Sequence, residues 1–536
     1  MMFQLTSAFL LALSSSIDTV SAQQETVIGV NNLINGACAV DYDPNDNVDY
    51  FPIKYRKPSI ESYGNIDIFG NKFVPHESTD FLNIEYHDNY KIVTNSHQQP
   101  PKTYLLYQCG TEIPDIVTNG DFAFDLVVSV PHQGGLALTQ TPQIPYIELL
   151  GLREEVIAYV GDPQYVTSPC MSYMMTGAGD DDQIQVVYDS NITIMEGLTD
   201  TFRTEHPNTI MVSGPTNNVV GDRVIVASAT QERTNVATFD WIAFYASFYN
   251  LEGESNRIST LMQESYDCIS DVSTNIVKQQ RNLENVGEEY HTPTIFWANF
   301  FTYDDLGWSV GDCPTWDANF YCEYAAHCDA TILSRPEGVG FNRTYGGSPT
   351  VYWYISDEEA LEMGKNADIF IYTGGDWDSV YKSHSSMLDQ FQAVQNKQVF
   401  DTLGQGPSAW LEQRYAEYNT VGLDLCDIVG HSSMATVNGG NNANRWFRNV
   451  YTEPIGALPV CDVAGGEISQ PYVPPKVNCV QPPEEGVKIV NRPKEISSPS
   501  QEQVEDGDSA ASGFCNYFSY SNLMLVSFAG MVVSQM

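Results

Sequence analysis

The sequence predicts an α/β protein with two lobes, each built around a mainly parallel sheet, that are joined by one long helix and preceded by a β-rich segment. Three observations support this fold class. Patterns typical of strands and helices alternate in two separate regions, which is the order found in parallel sheets. Between these regions, apolar residues recur at the helical period over residues 239–277. The length of 536 residues is sufficient for several such units.

The β-rich segment is predicted from short runs in which apolar and polar residues alternate. Polar turns separate these runs, and this combination is typical of strands in an antiparallel arrangement. The runs are residues 65–69, 82–86, 90–93 and 104–107.

A strand–helix–strand unit is predicted at the start of the first lobe. Residues 124–130 and 156–160 are apolar enough to be buried strands. Between them, Thr141 and Pro142 indicate a helix start and Gly151 a helix end. We therefore expect strands 124–130 and 156–160 to lie parallel in one sheet.

The long helix is predicted from an apolar stripe that repeats every three or four residues. A helix over residues 239–277 would be about 60 Å long, with a possible interruption at Gly253. A helix of this length between two α/β regions is most simply a connecting rod.

The second lobe is predicted from a further series of strands and helices. Residues 292–301, 367–372 and 398–401 are apolar runs typical of strands. Ser356 and Glu359 form a capping-box pattern that opens a helix. Another helix is expected over residues 408–417.

The composition divides the chain into segments with different roles. Pro, Ser and Glu dominate after residue 463 without periodic apolar positions, which is typical of an extended stalk. The predicted segments are a signal peptide (1–22), the N-terminal lobe with its β-rich start (23–236), the bridging helix (237–290), the C-terminal lobe (291–462), a disordered stalk (463–508) and an anchor signal or hydrophobic tail (509–536).

Both ends of the sequence predict a protein on the outer face of the plasma membrane. Residues 1–22 have an apolar core and end in Val20-Ser21-Ala22, a pattern typical of a secretory signal peptide. The apolar run at residues 523–533 is too short for a comfortable membrane span of about 20 residues. Small residues, a spacer and a terminal apolar tail match a glycolipid-anchor signal, with Ser509 as attachment site. A short hydrophobic tail anchor is the alternative.

The cysteines and sequons agree with export. Ten cysteines precede the predicted tail, and an even, dispersed set in an oxidising compartment indicates up to five disulfides. Their pairing stays open. Cys322, His327 and Cys328 alone are a weak zinc pattern, so no metal site is predicted. Asn191 and Asn342 begin two N-glycosylation sequons.

The charge restricts the partners. The chain has 25 Lys and Arg residues against 68 Asp and Glu residues, a formal net charge of −43. Such a surface repels nucleic-acid phosphates and anionic lipid headgroups. We therefore expect no nucleic-acid partner, a ligand without strong negative charge, and a monomer.

Aromatic residues cluster in the loops that follow the predicted strands. Open α/β sheets bind ligands at the carboxyl ends of their strands, so a ligand is expected in the cleft between the lobes. A large planar or macrocyclic ligand would stack on these side chains. The candidate ligand-binding residues are Tyr159, Tyr165, Phe300, Phe301, Tyr303, Trp308, Trp353, Trp377 and Trp410.

Catalytic motifs are weak in this sequence. It contains no G-x-S-x-G, phosphate-binding G-x-x-x-x-G-K-[ST], H-E-x-x-H or G-x-G-x-x-G pattern. Asp304 with Asp305, and Asp376 with Asp378, are candidate carboxylate pairs for glycoside hydrolysis. We therefore predict a protein that is not an enzyme and has no cofactor, with a secreted glycoside hydrolase as an alternative.

Three stretches resemble the bacterial periplasmic binding proteins that capture cobalamin and ferric siderophores. Residues 130–152, which include Glu148-Leu149-Leu150-Gly151, are similar to their first strand–helix unit. Residues 239–252 resemble the start of their bridging helix, and residues 406–414 resemble their final site loop, where an aromatic residue often faces the ligand. The resemblance covers about residues 120–460 and implies two α/β lobes, one bridging helix and an interlobe ligand.

With its export signals and β-rich start, nearly the whole chain resembles the algal cobalamin acquisition proteins of diatoms and related algae. This resemblance implies a surface-tethered protein that captures cobalamin and delivers it to an unidentified membrane transporter or endocytic receptor. A ferric siderophore or haem is the alternative ligand, for which Arg343 and Arg414 are the candidate cations. An adhesion or wall protein is disfavoured because the sequence has no repeats.

Overall fold

The computed structural model describes most of the chain between residues 38 and 479. The described residues are 38–39, 42–45, 48–51, 54–56, 67–69, 72–73, 75, 79–120, 122–176, 184–215, 219, 221–284, 290–302, 306–343, 352–432, 435–437, 444–461 and 468–479. The predicted signal peptide, the anchor signal with Ser509, Tyr303 and the pair Asp304–Asp305 lie outside them.

The β-rich start predicted from the sequence forms two small sheets. A four-stranded sheet has the order β3–β4–β5–β6, in which β6 is parallel to β5 and the other pairs are antiparallel. A separate antiparallel pair joins β1 to β2. The elements of this part are β1 (Lys54–Arg56), β2 (Asp67–Phe69), β3 (Leu82–Tyr86), β4 (Tyr90–Asn95), β5 (Lys102–Gln108), α1 (Asp115–Thr118) and β6 (Leu126–Val130).

The N-terminal lobe is built on a parallel sheet of five strands in the order β11–β10–β7–β8–β9. Its apolar strands and the helices beside them form the first part of the core. The elements are β7 (Leu136–Leu138), α2 (Ile144–Leu149), β8 (Val156–Val160), α3 (Pro169–Thr176), β9 (Gln185–Val187), α4 (Ile192–Glu205), β10 (Ile210–Ser213) and β11 (Val224–Val226).

The predicted strand–helix–strand unit is present, but its first strand was assigned wrongly. β6 pairs with β5 in the β-rich sheet, and the short strand β7 pairs in parallel with β8. Pro131 follows β6 directly and cannot donate a ladder hydrogen bond, so the strand ends there. The chain then crosses to the five-stranded sheet of the N-terminal lobe. There β7 is a strand of only three residues, all of which are buried.

The predicted bridging helix is broken before it becomes long. It consists of α5 (Asn235–Asp240), α6 (Ile242–Ser247) and the 33-residue α7 (Glu252–Glu284). The break lies at residues 248–251, where Asn250 has a left-handed φ of 55°, and Gly253 lies inside α7. At 1.5 Å per residue, α7 is about 50 Å long.

Helix α7 connects the β-rich sheet to the C-terminal lobe. Near its start, the buried carboxylate of Glu252 forms an ion pair with Lys91 of β4. Near its end, Arg281 forms an ion pair of 3.3 Å with Asp329 of the C-terminal lobe. The buried positions follow the helical period as expected, whereas the apolar side chain of Leu261 is 54% exposed.

The C-terminal lobe contains a mixed sheet of eight strands. Parallel pairs join β12 to β14, β12 to β17 and β17 to β18. The parallel pairing of β12, β17 and β18 is the one expected from the predicted strands. β13, β15, β16 and β20 add antiparallel pairs, so this sheet has more antiparallel pairing than the sequence indicates.

The elements of this lobe follow α7 in chain order. They are β12 (Thr294–Phe301), β13 (Gly307–Val310), α8 (Phe320–His327), β14 (Thr331–Ile332), β15 (Phe341–Arg343), β16 (Tyr352–Ile355), α9 (Asp357–Gly364), β17 (Ile369–Tyr372), α10 (Trp377–Leu388), α11 (Gln392–Gln395), β18 (Val399–Asp401), α12 (Ala409–Glu412), α13 (Tyr418–Ile428), β19 (Ala435–Val437), β20 (Arg448–Asn449) and β21 (Val477–Cys479).

The ends of β12 and β13 extend past the neighbouring strand β17, and this part of the sheet is called the hairpin arm below. The last residue of β17 pairs with Ala298, so the final three residues of β12 continue past β17. Phe300 and Phe301 there pair with Trp308 and Gly307 of β13. The hairpin arm consists of residues 299–301 and 307–309, and it projects from the carboxyl edge of the parallel strands.

All ten cysteines of the predicted set are paired. The disulfides are Cys38–Cys109, Cys170–Cys461, Cys268–Cys479, Cys313–Cys322 and Cys328–Cys426. Cys322 and Cys328, considered above as zinc ligands, are therefore disulfide-bonded.

Residues 468–479, which lie inside the predicted stalk, belong to the folded body; they are called the strap below. The backbone N–H of Tyr472 donates to Glu148 of α2, and Arg153 donates to the carbonyl of Gln470. β21 pairs with β19, and Cys479 is bonded to Cys268 of α7. These contacts hold the strap against both lobes, so any stalk begins later than residue 463.

Within the part of the chain that the structure describes, no helix is both long and apolar enough to cross a membrane.

Candidate ligand-binding site

The two lobes meet at the carboxyl ends of their parallel strands. The segment after β7 forms a short 3-10 helix, Thr141–Gln143, that contacts α12. Helix α12 follows β18, and the 3-10 helix after it, Gln413–Ala416, contacts α2. Because parallel strands present their carboxyl ends at one edge of a sheet, the ligand-binding edges of both lobes face this interface.

A buried carboxylate from one lobe holds the start of a helix in the other. The backbone N–H groups of Thr167 and Ser168, just before α3, donate to Glu412 at 2.8 and 2.7 Å. Gln413 Nε2 donates to Glu412 at 2.8 Å and to Glu148 of α2 at 3.2 Å. We call Glu412, Gln413 and Glu148 the interlobe clamp. The disulfide Cys170–Cys461 crosses close to it and fixes α3 covalently.

The clamp places two carboxyl groups out of contact with the surrounding solvent. Glu412 is fully buried and Glu148 is 2% exposed. Burial, and to a lesser extent the neighbouring Glu148, raises the pKa of Glu412 to about 8. Arg153 lies 2.7 Å from Glu148 and supplies the nearest positive charge. Glu412 is therefore largely protonated at neutral pH.

An aromatic layer continues the interface beside the clamp. Tyr146 of α2 stacks on Tyr245 at 5.2 Å and lies 6.4 Å from Tyr415 of the C-terminal lobe, ring centre to ring centre. Arg414 is 4% exposed, and its guanidinium lies 4.1 Å from the Phe320 ring and 4.5 Å from the Tyr415 ring. Among the described residues, no carboxylate is within ion-pair distance of Arg414. This cation is enclosed by aromatic rings and has little surface for a ligand.

The N-terminal lobe presents two tyrosines near the carboxyl ends of β8 and β9. Tyr165 is half-buried in a 3-10 helix, Pro163–Tyr165, which Asp162 caps by accepting from Gln164 N at 3.1 Å. Tyr188, directly after β9, is 37% exposed. The hydrogen bond of Tyr188 to Asp162 raises the pKa of its hydroxyl group. Tyr159, by contrast, is 1% exposed inside β8, and burial raises its pKa.

The C-terminal lobe presents the hairpin arm. Phe300 and Phe301 are half-buried, on opposite faces of β12. The Phe300 ring lies 5.1 Å from that of Trp308, and the Phe301 ring lies 5.9 Å from that of Tyr354. These two phenylalanines are the arm residues with surface open to a ligand.

The predicted tryptophans occupy more protected positions. Trp308 has no exposed surface, and its Nε1 donates to Asp357 at 2.8 Å. Trp377 and Trp410 are 4% and 5% exposed; the first packs on Tyr372, and the second packs on Phe447. These three buried rings pack beneath the surface and offer little ring area to a ligand.

Trp353 is half-buried, and the guanidinium of Arg335 lies 3.0 Å from its ring centre. Contact of the four tryptophans with a ligand stays a prediction.

A tight turn at the end of β17 brings a carboxylate to the same edge. A Cβ atom on Gly374 would lie 2.4 Å from Asn299 Oδ1, so only glycine fits this turn. Tyr372 donates to Asp376 at 2.5 Å. Both Asp376 and Asp378 are exposed, whereas a general acid for glycoside hydrolysis needs an environment that keeps it protonated. This pair therefore gives the hydrolase alternative little support.

The remaining predicted modification sites lie on the surface. Asn191 caps α4 by accepting from Thr193 N and Ile194 N, and it is exposed. Asn342 is exposed in the edge strand β15. In the described residues, no group of three or more His, Cys, Asp or Glu side chains is arranged to hold a metal ion.

Sequence reasoning missed several residues of this interface. Tyr188 follows a three-residue strand that is too short for a periodic pattern. The clamp is formed by Glu412 and Glu148, which are 264 positions apart in the chain, so no local motif could indicate it. The resemblance of residues 130–152 and 406–414 to parts of known binding proteins, together with the candidate Trp410, pointed to this region.

Comparisons with known proteins give similarities at the level of solved structures. No family model matches the chain, and neither does any curated protein. The periplasmic vitamin B12 binding protein BtuF of Vibrio cholerae is 11% identical, with 56% of this chain and 98% of that chain covered and a TM-score of 0.35. The periplasmic heme binding protein HutB of Vibrio cholerae is 13% identical, with coverage of 55% and 96% and a TM-score of 0.33.

A periplasmic binding protein from Veillonella parvula is 15% identical, with 67% of this chain and 96% of that chain covered and a TM-score of 0.36. With such identities and with TM-scores below 0.5, these similarities carry no argument about the ligand.

Proposed function

We propose that the chain is a non-catalytic, cell-surface binding protein that captures cobalamin in the cleft between its two lobes. The observation that carries the proposal is that the carboxyl ends of the parallel strands of both lobes meet at one interface with aromatic side chains on each side. Open α/β sheets bind their ligands at this edge. The resemblance of the sequence to cobalamin-binding proteins supports the choice of ligand.

The exposed aromatic rings on the two sides of the interface suit a large flat ligand. Phe300 and Phe301 on the hairpin arm and Tyr165 and Tyr188 on the N-terminal lobe retain exposed ring surface. Aromatic rings contribute large apolar contact areas with few rotatable bonds. A corrin ring offers a flat surface for such contacts.

The charge at this edge favours a ligand without net negative charge. The segments that follow β7, β8, β9, β17 and β18 contain Asp162, Asp189 and Asp376 but no Lys or Arg. Arg233, which follows β11, and Arg335, which follows β14, lie 3.0 and 3.9 Å from the carboxylates of Asp80 and Asp312. Arg414, a candidate cation for an anionic ligand, is enclosed by aromatic rings. Haem and ferric siderophores often carry carboxylates or other anionic groups, and burying such groups without a cation is costly. Cobalamin therefore fits better than the alternative iron ligands.

The five disulfides support the proposed location outside the cell, because such bonds persist in oxidising compartments. We propose that the exported chain is tethered to the outer face of the plasma membrane, as in the algal proteins that it resembles. A membrane transporter or endocytic receptor would then take over the bound ligand.

The proposal is tested by calorimetric titration of the exported chain, produced in a eukaryotic host, with cyanocobalamin, haem and a ferric siderophore. We expect one cyanocobalamin site with a Kd below about 1 µM and much weaker binding of the two iron ligands. Phe300→Ala and Tyr165→Ala should each weaken cyanocobalamin binding by about 30-fold, or about 2 kcal/mol, because each removes an anchoring ring.

Trp316→Ala is the matched control. Trp316 is 53% exposed and lies in the segment between β13 and α8, outside the hairpin arm and outside the segments that carry Tyr165 and Tyr188. Its loss should leave the affinity unchanged. Tight haem binding with no cyanocobalamin binding would replace cobalamin by haem as the ligand, and turnover of a glycan lost in Asp376→Asn would favour the hydrolase.

A further inference from the structure

A histidine that the sequence analysis did not single out lies against the hairpin arm. His384 belongs to α10, and its backbone angles (φ −119°, ψ 19°) depart from those of a helix. Its imidazole centre lies 4.4 Å from the Phe300 ring and 6.0 Å from the Trp308 ring. Phe300 and Trp308 are a cross-strand pair of the arm. His384 is therefore next to the surface where the proposed ligand would stack.

The hydrogen bond of this side chain fixes the position of its proton. His384 Nδ1 lies 3.1 Å from the carbonyl oxygen of Val380. A carbonyl oxygen can only accept, so Nδ1 carries the proton, and in the neutral ring Nε2 keeps its lone pair. A neutral imidazole held in this way is the usual state of a metal-binding histidine.

The other ring nitrogen has no hydrogen-bond partner among the described residues. Nε2 lies 3.8 Å from Asp357 Oδ2, which exceeds hydrogen-bonding distance. Trp308 Nε1 holds the other oxygen of Asp357 at 2.8 Å and so fixes this carboxylate. The His384 side chain is 17% exposed, and the Asp357 side chain is 44% exposed. In the neutral ring, Nε2 thus has a lone pair that no described residue uses, close to the Asp357 carboxylate at the edge of the arm.

We propose that His384 Nε2 binds the metal of the captured macrocycle at an axial position. In this step the bond between the metal and an axial water breaks, the water leaves with its electron pair, and the nitrogen lone pair forms the new bond. The total charge does not change, and the proton stays on Nδ1. The inference rests on the proposed function and adds that a corrinoid with an exchangeable axial position binds more tightly than one without it.

Two corrinoids that differ at this position test the inference. Aquocobalamin carries an exchangeable axial water, whereas cyanide occupies that position in cyanocobalamin. We expect the visible absorption bands of aquocobalamin to shift when it binds the exported chain. His384→Ala should abolish the shift and weaken aquocobalamin binding about tenfold or more, the range typical for disturbed metal ligation. Its cyanocobalamin affinity should fall less than its aquocobalamin affinity, because cyanide already occupies the axial position, and an unchanged far-ultraviolet circular dichroism spectrum should show that the variant folds.

Two further measurements make the test specific. The shifted bands of the wild-type complex should match those that free imidazole gives with aquocobalamin in solution, which a purely structural role of His384 would not produce. His384→Gln should behave like His384→Ala. Equal binding of both corrinoids with unchanged spectra, or a shift that persists in His384→Ala, would overturn the inference and leave the proposed function standing. If wild-type protein bound neither corrinoid, the proposed function would fall and this inference with it.

Discussion

Removing the disulfide Cys170–Cys461 should destabilise the protein more than removing a local disulfide. This bond joins α3 of the N-terminal lobe to the segment before the strap, over a sequence separation of 291. Since Cys268–Cys479 already links the strap to α7, the loop that the bond closes in the unfolded chain shortens to about 117 residues. The chain-entropy relation then gives about 5 kcal/mol for its contribution to the free energy of unfolding.

The matched control is Cys313–Cys322, whose separation is only 9 and whose Cys322 is as buried as Cys461. The same relation gives about 2.7 kcal/mol for this bond. Urea unfolding of Cys170→Ser/Cys461→Ser and Cys313→Ser/Cys322→Ser, followed by tryptophan fluorescence, compares the two. The variant without Cys170–Cys461 should lose about 2 kcal/mol more than the control. Equal losses would refute the view that this bond joins separately placed lobes.

Three further predictions concern the interfaces that position the site. Lys91→Met should lower the free energy of unfolding by about 3–5 kcal/mol, because it leaves the buried Glu252 without a counter-ion. In urea unfolding, the double variant Lys91→Met/Glu252→Leu should recover most of the lost free energy. A double variant as unstable as Lys91→Met would argue against the ion pair. Because burial raises the pKa of Glu412 to about 8, the unfolded chain releases this proton at a lower pH than the folded chain. The stability of the wild-type protein should therefore fall as pH rises from about 4.5 to 8, and Glu412→Gln should show a smaller fall in Tm across that range. An equal fall in Tm for both proteins would contradict the raised pKa of Glu412. Gly422→Ala should cost about 1–3 kcal/mol, since its Cβ would lie 2.6 Å from the Tyr266 ring. In Gly197→Ala of α4, no atom lies within 4 Å of the added Cβ, so the free energy of unfolding should rise by up to about 1 kcal/mol in the same assay. Similar effects of the two glycine substitutions would contradict the packing of α13 on α7.

The fold class could be predicted because its signals are local. β8, β12 and β17 are apolar runs of four to eight residues, and α7 carries an apolar stripe over many turns. The pairing of β6 with β5 could not be predicted, because an apolar strand fits either of two neighbouring sheets. Nor could the strap, since its contacts with Glu148 and Cys268 join residues that are far apart in the chain.

The candidate site was predictable in region but not in detail. The loops after the strands were the right place to look, because the carboxyl edge follows from parallel pairing. Which aromatic rings keep open surface depends on packing between elements. Trp308 is covered although it lies on the arm, whereas its strand partner Phe300 is half-buried. The role that we propose for His384 depends on its hydrogen bond to Val380 and on its contact with the arm, and neither can be read from the sequence.

The most direct test of the central claim is a crystal structure of the exported chain grown with saturating cyanocobalamin. We predict one corrin ring between the lobes, in contact with Phe300 or Phe301 of the hairpin arm and with Tyr165 of the N-terminal lobe. A corrinoid bound anywhere else on the surface, or an empty interlobe cleft at saturating ligand, would contradict the account.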